Sequence, residues 1–483
     1  MAPGPRHALV VGYGRSGRAA ARWLVSRGWQ VVVLEDNAAA VSLVAEVAPG
    51  GDSGAAFEVA PKPERAAELV LGVDLVVPSP GVPGRHPALV AAREHKVEVW
   101  SEIELAWADL ATRATATDAG PGPLLVAITG TNGKTTVTEL VTAMLVASGL
   151  PAVAAGNVGY PLLDAVSALH AHQPGGPRPV LVAEVSSFQL ENTRGFRPDV
   201  SCWLNFTPDH LDWHPSLDNY ASAKAKIWAN QLPGSTVVVN TDDPVVMAAA
   251  ATVPEGAKVV TFGAAPDLAS VGPRAVGIGP TWAFGTAGVK GPGGLVIKAA
   301  DLPRALPHDL ANTAAALAVA MGAGASEEGC LLAARTTPAP PHRMQFVAEG
   351  HSGVAWYDDS KATTPASVLA GVKGLRSVVL IAGGRNKGLD LGELAKAVPP
   401  VRAVVAIGES APQVEAAFTG VVPVRVATSM AEAVHVAAEL SRPGDAVVLS
   451  PGCASFDWYS SYAERGEHFA ALAKAQIAEV AER

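Results

Sequence analysis

An α/β fold of three parallel-sheet domains is predicted by three observations. Short β-branched runs alternate with Ala-rich amphipathic stretches along the whole chain, two of those runs feed glycine-rich turns, and two Pro/Gly-containing breaks divide the sequence. The runs lie at 7–11, 30–34, 74–77, 124–128, 180–185, 236–239, 377–381, 403–407 and 446–449. With 483 residues the chain exceeds one domain of roughly 100–200 residues. The breaks, ATRATATDAGPGP at 111–123 and TTPAPP at 336–341, read as linkers and set domains at 1–118, 119–337 and 338–483. Between 266 and 294 Gly and Pro abound without a period, which leaves a β-rich insertion and a loop both open.

Composition excludes several classes. Apolar residues are 49% and charged residues 17%, a globular balance, and the excess of Gly (48) and Pro (38) carries no G-X-Y period. Lys+Arg 36 against Asp+Glu 45 gives −9, which argues against nucleic acid or an acidic membrane as partner, so anionic substrates require locally gathered cations. Cys202, Cys330 and Cys453 are odd in number and lack CxxC spacing, as expected of a reducing compartment. No apolar run reaches 18 residues and the start, MAPGPRHALVVGYG, has no signal-type apolar stretch. A soluble, cytoplasmic protein, taken as a monomer, is expected.

The first run, 7–11, enters Gly12-Tyr13-Gly14-Arg15-Ser16-Gly17 and then a helical stretch beginning near Arg18. G-x-G-x-x-G lets backbone approach a diphosphate at a helix N-terminus, where amides and the helix dipole favour negative charge. Asp36, ending the next strand, stands where a ribose-reading acid would. Spacing alone leaves a nucleotide, a nicotinamide cofactor and a structural tight turn open.

The second domain opens with strand 124–128, then Thr129-Gly130-Thr131-Asn132-Gly133-Lys134-Thr135-Thr136 and a helical pattern over 137–147. Strand, glycine loop, GK[ST] and helix form a phosphate cradle in which Lys134 reaches the β/γ-phosphates and Thr135 offers an oxygen to Mg²⁺. Ile128 occupies the usual first glycine, so this P-loop is shortened. Glu184, at the end of an apolar strand, is suited to Mg²⁺ or to an ion pair with a lysine. Asp209-His210-Leu211-Asp212-Trp213-His214 follows a strand at 200–205 and packs two acids and two imidazoles together, as a metal or phosphate site or a solvated loop would.

On a helix at 217–231, Lys224 and Lys226 are about 200° apart. Tyr220, Ile227 and Trp228 share the face of Lys224, whereas Ser222 and Asn230 share that of Lys226. Lys224 on an apolar stripe is either a snorkelling stem or a desolvated, reactive amine.

These motifs resemble those of the Mur ligases, the ATP-dependent family that builds the peptidoglycan precursor. GTNGKTT, EVSSFQLE (184–191), LNFTPDHLDWH (204–214), HDLANTAAA (308–316), PHRMQ (341–345), DDSKATTP (358–365) and GGRNKGLD (383–390) occur in family order across all three domains. EVSSFQLE, DSKATTP and LSPGCASFD (449–457) look most like the D-glutamate-adding members, and no DNPR-type signature of the diaminopimelate- or lysine-adding members is present.

The resemblance implies a Rossmann-like first domain holding UDP, a central P-loop ATPase-type sheet and a Rossmann-like C-terminal domain. It places Gly14, Ser16, Gly17 and Arg18 at the diphosphate, Asp36 near uracil, and Ser79 and Gly81 of SPGV beside them. Gly130 to Thr136, Asn312, Arg343, Asp359 and Lys361 would hold ATP; Asn157, Ser186, Thr363, Lys387, Ser455 and Tyr462 would contact substrates. Thr135, Glu184, His210 and a Lys224 carbamylated by CO2 would hold Mg²⁺, two ions being expected. Lys134, Lys224, His210 and Arg343 would carry catalysis. The implied reaction joins D-glutamate to UDP-N-acetylmuramoyl-L-alanine through an acyl phosphate. The family often has His-Asn where this chain has His308-Asp309, and an ionised Asp309 accepts but cannot donate, so an adenine contact there would differ or be lost.

Overall fold

The computed structural model describes residues 6–37, 55–114, 122–157, 159–169, 177–211, 213–265, 281–350 and 353–481. Three sheets follow one another along the chain.

The first comprises β1 (His7–Val11), β2 (Gln30–Glu35), β3 (Ala55–Val59), β4 (Leu75–Pro78) and β5 (Glu98–Val99), in the order β3-β2-β1-β4-β5, all parallel. Strand order reverses between β1 and β4, so the Gly12–Gly17 turn and the Ser79–Val82 loop meet at the crevice where doubly wound sheets bind ligands.

The second sheet comprises β6 (Leu124–Thr129), β7 (Ala152–Gly156), β8 (Val180–Glu184), β9 (Val200–Trp203), β10 (Thr236–Asn240), β11 (Lys258–Ala264), β12 (Thr281–Gly285), β13 (Gly288–Lys290) and β14 (Val296–Lys298). Its order is β14-β13-β12-β11-β10-β9-β6-β8-β7, with only β12-β13-β14 antiparallel. The described part of the 266–294 stretch is thus a β meander, and 266–280 lies outside the described residues. β6 and β8 are central, buried on both faces, and therefore read as near-continuous apolar runs.

The third sheet comprises β15 (Gln345–Glu349), β16 (Ala355–Asp358), β17 (Val378–Gly383), β18 (Val401–Ile407), β19 (Val424–Ala427) and β20 (Ala446–Leu449), ordered β15-β16-β20-β17-β18-β19. Only β15 runs antiparallel, so the loops after β16, β20 and β17 open at one carboxyl edge.

Some local expectations need correcting. The first helix begins at Arg15, not near Arg18, because Gly14 already serves as its N-cap. The expected linker at 111–123 is helical through Ala114, since helix Glu102–Ala114 buries Ile103, Leu105 and Ala106 in an apolar cluster shared by the first two domains. The helix expected at 217–231 runs Leu217–Ala225 and tightens to a 3₁₀ turn at Lys226–Trp228. The strand expected to reach 205 stops at Trp203, and Asp36 falls one residue past β2. Among the described residues no helix is long and apolar enough to cross a membrane.

Candidate active site

The phosphate-type loop leaves β6 and enters helix Lys134–Ala147 through Gly133, whose φ of +84° lies in the left-handed region. A Cβ there would also come within 2.6 Å of Asn312 Oδ1, so glycine is required twice over. The amides of Thr131 and Asn132 donate to Asn205 Oδ1 at 3.1 and 2.9 Å, and Asn205 Nδ2 donates to the Asn132 carbonyl at 3.1 Å. Asn205 is therefore a brace for the loop. Within LNFTPDHLDWH no local pattern announces that role.

Lys134 curls back, its Nζ donating to the Gly130 and Thr131 carbonyls at 2.9 Å each. Burial lowers its pKa, opposed by the charges of Glu184 and Asp209. In front of the loop lies a cavity of about 280 Å³ where the second and third domains converge. Thr131, Asn132, Lys134 and Thr135 form its floor, and Asn157, Glu184 and His210 one wall. Arg343, Lys361, Thr363, Lys387, Ser455 and Tyr462 form the other.

Glu184 is buried; its Oε1 accepts from Asn157 Nδ2 at 3.0 Å and its Oε2 has no partner. A buried carboxylate oxygen left this way is costly unless a cation completes it. His210 adopts a φ of +56° and packs edge-on against Phe188. Desolvation lowers its pKa, favouring the neutral ring. Of the acid and imidazole cluster, Asp209 and His210 reach the cavity, whereas His214 turns inward to Ser187 Oγ at 2.9 Å and Asp212 lies outside the described residues. Ser186 is also outside the cavity, its hydroxyl engaged with Gln189 in a capping box for helix Ser187–Glu191. Among the described residues no three His, Cys, Asp or Glu side chains form a metal cage.

Lys224 sits beneath the loop, 1% exposed, its Nζ donating to Gly130 O at 2.9 Å and lying 4.7 Å from the Tyr220 ring centre. Its pKa falls well below the ordinary lysine value, first through desolvation and then through Lys134. Lys226 is half-buried and donates to the Glu191 carbonyl at 2.5 Å.

A second cavity of about 260 Å³ adjoins the first through Asn132, Arg343 and Ser367. Gly133, Thr136, Asn312 and Asp359 line it, with Arg304 and His308. Burial raises Asp359 to about 7 despite donors from Ser450 Oγ at 2.7 Å and Met344 N at 3.1 Å. Lys361 is pushed down to about 8, by burial and then by Arg343. Ser367 Oγ donates to Asn132 Oδ1 at 2.6 Å, a bond between the third sheet's domain and the loop that no local pattern announces. The chain turns at Arg385 and Ala454 exchange two backbone hydrogen bonds, which join the loops carrying Lys387 and Ser455.

The first-domain candidates lie apart from both cavities. Gly14 caps helix Arg15–Ser26, Gly17 packs that helix on Gly12, and Ser79 Oγ donates to Gly12 O at 2.8 Å. Ser16 and Arg18 belong to the first turns of the same helix, and Gly81 leaves open space above the SPGV loop. Asp36 accepts from or pairs with His86 Nε2 at 3.1 Å. Glu35, unassigned from sequence, accepts the Tyr13 amide at 2.6 Å and so fixes the glycine turn. Trp213 Nε1 donates to Val82 O at 3.0 Å, linking this domain to the His210 loop.

Comparison with known proteins matches three descriptions in succession: a Mur ligase MurD-like N-terminal domain at 6–101, a Mur ligase middle domain at 128–320 and a Mur ligase glutamate ligase domain at 342–453. The chain belongs to the Mur ligases. Among curated relatives, the UDP-N-acetylmuramoylalanine--D-glutamate ligase of Pelotomaculum thermopropionicum is 38% identical, covering 95% of this chain and 96% of that one. The enzyme of the same name from Frankia casuarinae is 40% identical over 97% and 94%. Solved structures share the fold: Thermotoga maritima UDP-N-acetylmuramate-alanine ligase MurC has a TM-score of 0.54 at 20% identity, covering 98% of this chain and 99% of that one. MurF from Acinetobacter baumannii has a TM-score of 0.56 at 18% identity, covering 96% and 90%.

Within this Mur ligase the departure at Asp309 has a partner that sequence reasoning missed. Its carboxylate is held by Arg304, with Nε to Oδ2 at 2.7 Å and Nη2 to Oδ1 at 2.5 Å. Arg304 stands in an irregular segment whose only signal is a positive charge five residues before the acid.

Proposed function

We propose that this chain uses ATP to join D-glutamate to UDP-N-acetylmuramoyl-L-alanine in peptidoglycan precursor synthesis. The observation that carries the reading is the single cavity where Lys134, the unpartnered oxygen of Glu184, and Lys387 with Ser455 face one another. A phosphoryl donor, a carboxylate acceptor and an amino acid have to meet in one place for this chemistry.

A carboxylate does not accept an amine directly near neutral pH, because oxide is a poor leaving group. The alanyl carboxylate oxygen attacks the γ-phosphorus of ATP, the bond to the ADP oxygen breaks, and an acyl phosphate forms. The D-glutamate nitrogen then attacks the acyl carbon, loses a proton, and inorganic phosphate departs with its C–O bond. Lys134 and Arg343 are preorganised cations beside the transferring group, and burial keeps water from weakening them. Arg343 Nε is buried without a partner, a donor suited to phosphate oxygen. Lys387 is suited to a D-glutamate carboxylate. The first-domain turn, with Asp36, Ser79 and Gly81, takes the UDP moiety. ATP and a UDP-sugar are cytoplasmic metabolites, so the reaction belongs in that compartment.

Mg²⁺ fits the residues present. Glu184 Oε2 is an orphaned hard oxygen, and Thr135 adds a hydroxyl. Bound there, the ion would neutralise charge on the phosphates. Lys224, its amine pushed towards the neutral form by burial, would add CO2, forming an N–C bond and releasing a proton, and the resulting carbamate would supply two further hard oxygens.

The test is phosphate release from ATP with UDP-N-acetylmuramoyl-L-alanine and, in turn, D-glutamate, L-glutamate, L-alanine and diaminopimelate. Release is expected only with D-glutamate and only with both co-substrates present. Release supported by diaminopimelate alone, or oxidation of a reduced nicotinamide followed at 340 nm without any ligation, overturns the reading.

A further inference from the structure

Asp309 presents a problem of charge. It occupies the third position of helix Pro307–Gly322, is 8% exposed, and would bring a negative charge into a recess shared with Thr136 and Asn312, residues expected above to hold the anionic nucleotide. Helix capping does not require that charge: Oδ2 accepts the Leu306 amide at 3.1 Å, which an amide oxygen would do equally well. Arg304 answers it with a two-pronged fork, the charge-assisted geometry specific to guanidinium and carboxylate.

The remaining arm of Arg304 reaches another domain. Nη1 donates to the carbonyl of Arg343. Arg343 is flanked by two non-glycine residues in the left-handed region, His342 at φ +59° and Met344 at φ +46°. Such conformations are strained for residues with a Cβ and persist only where surroundings hold them. Arg304 supplies one of the holds. It also lines the second cavity beside Asn312 and Arg343, and a small recess behind it with Asp309 and Glu139.

We propose that Arg304 is a nucleotide-site positioning residue of this ligase: it neutralises Asp309 in the recess behind the second cavity and fixes the backbone of Arg343 across the domain boundary. The Arg304–Asp309 pair thus stands where the family often has an asparagine, and the two residues work as a unit. The inference rests on the proposed ATP site.

Steady-state kinetics with ATP varied, on the full chain, test it. Arg304→Ala leaves the buried Asp309 carboxylate with only the Leu306 amide and His308 Nε2, 3.4 Å away, and frees the Arg343 backbone, so KM for ATP should rise on the order of tenfold or more and kcat should fall, with KM for the UDP-sugar substrate unchanged. The double variant Arg304→Ala/Asp309→Asn removes both charges and should regain most of that KM while kcat stays low, because the tether to Arg343 is still absent. Arg304→Lys keeps the charge but neither the fork nor the arm to Arg343, so its KM for ATP should fall between that of the parent and that of Arg304→Ala. A merely structural role would lower the active fraction and the melting temperature and leave KM for ATP in place. The inference is overturned if Arg304→Ala keeps KM for ATP within twofold, if the double variant is no better than the single one, or if Arg304→Lys raises KM as much as Arg304→Ala. Should the parent protein release no phosphate with both co-substrates present, the proposed ligase reading fails instead; a working parent with an indifferent Arg304→Ala sinks this inference alone.

Discussion

Two lysine amines share one carbonyl oxygen, Lys134 Nζ and Lys224 Nζ each lying 2.9 Å from Gly130 O. Two neighbouring ammonium groups in a desolvated place destabilise one another, and the more buried one yields its proton more readily. Lys224 is that one, with Lys134 the second cause of its lowered pKa after burial. If the neutral amine becomes a carbamate that completes a metal site, Lys224→Ala should be nearly inactive, and acetate or formate should restore part of the phosphate release by filling the vacated ligand position. Lys226→Ala should stay active, and Lys224→Arg should not be rescued, since a guanidinium stays charged. Loss of melting temperature without any response to added carboxylate would mark Lys224 as a packing residue only. The contrast between the two lysines was legible in spacing, because 3.6 residues per turn put Tyr220, Ile227 and Trp228 on the side of Lys224, and all three are buried. Asn205, Ser367 and Arg304 were not legible in this way. Their partners Asn132 and Arg343 lie 73, 235 and 39 residues away, and no local period encodes such pairs.

The first strand, turn and helix show two glycines serving different ends. A Cβ on Gly17 would lie 1.9 Å from Gly12 O and 2.8 Å from Ser79 Oγ, so this glycine lets the helix approach β1. A Cβ on Gly14 meets nothing within 4 Å. Gly17→Ala should therefore cost stability, about 1–3 kcal/mol or more by overpacking, seen as a lower melting temperature. Gly14→Val should fold normally yet weaken UDP-sugar binding at least tenfold by titration calorimetry, with ATP binding unchanged, since its side chain fills the space a diphosphate needs. Equal loss of both nucleotides in Gly14→Val would point to misfolding. The spacing G-x-G-x-x-G located the turn; which glycine is packed and which is open depended on the Ser79 loop from β4, 67 residues away from Gly12 in sequence.

Across the whole molecule, helix Glu102–Ala114 fastens the first domain to the second through two buried carboxylates. Glu104 accepts the amides of Arg194, Gly195 and Phe196 at 3.1, 2.7 and 2.9 Å. Glu102 Oε1 accepts the Leu163 amide at 2.6 Å, while its Oε2 is buried without a partner. Desolvation accordingly raises Glu102 from 4.5 to about 7. A raised carboxyl pKa means the folded state binds more protons than the unfolded one between those values. Its contribution to stability is complete below pH 4.5 and is lost as pH rises through 7, by at most about 3 kcal/mol. Glu102→Gln keeps an acceptor for Leu163 N without titrating. Its melting temperature should gain on the parent as pH is raised from 5 to 8; a difference that is the same at both ends would show that Glu102 does not titrate in this range.

Local patterns determined much of this protein unaided. Alternating apolar runs announced the central parallel strands, since strands covered on both faces must be apolar throughout. The loop at 130–136 and the stripe beneath Lys224 were equally visible, because a glycine turn and a helical period are written in adjacent residues. Only the tertiary structure decided what those parts face. It left Glu184 Oε2 open, set Lys224 under the Gly130 carbonyl, turned His214 away to Ser187, engaged Ser186 in a helix cap, and joined Asp309 to Arg304. The physical reason is range: periodicity sets which face a side chain occupies, whereas its charge state and hydrogen-bond partner depend on burial and on groups brought in from distant strands.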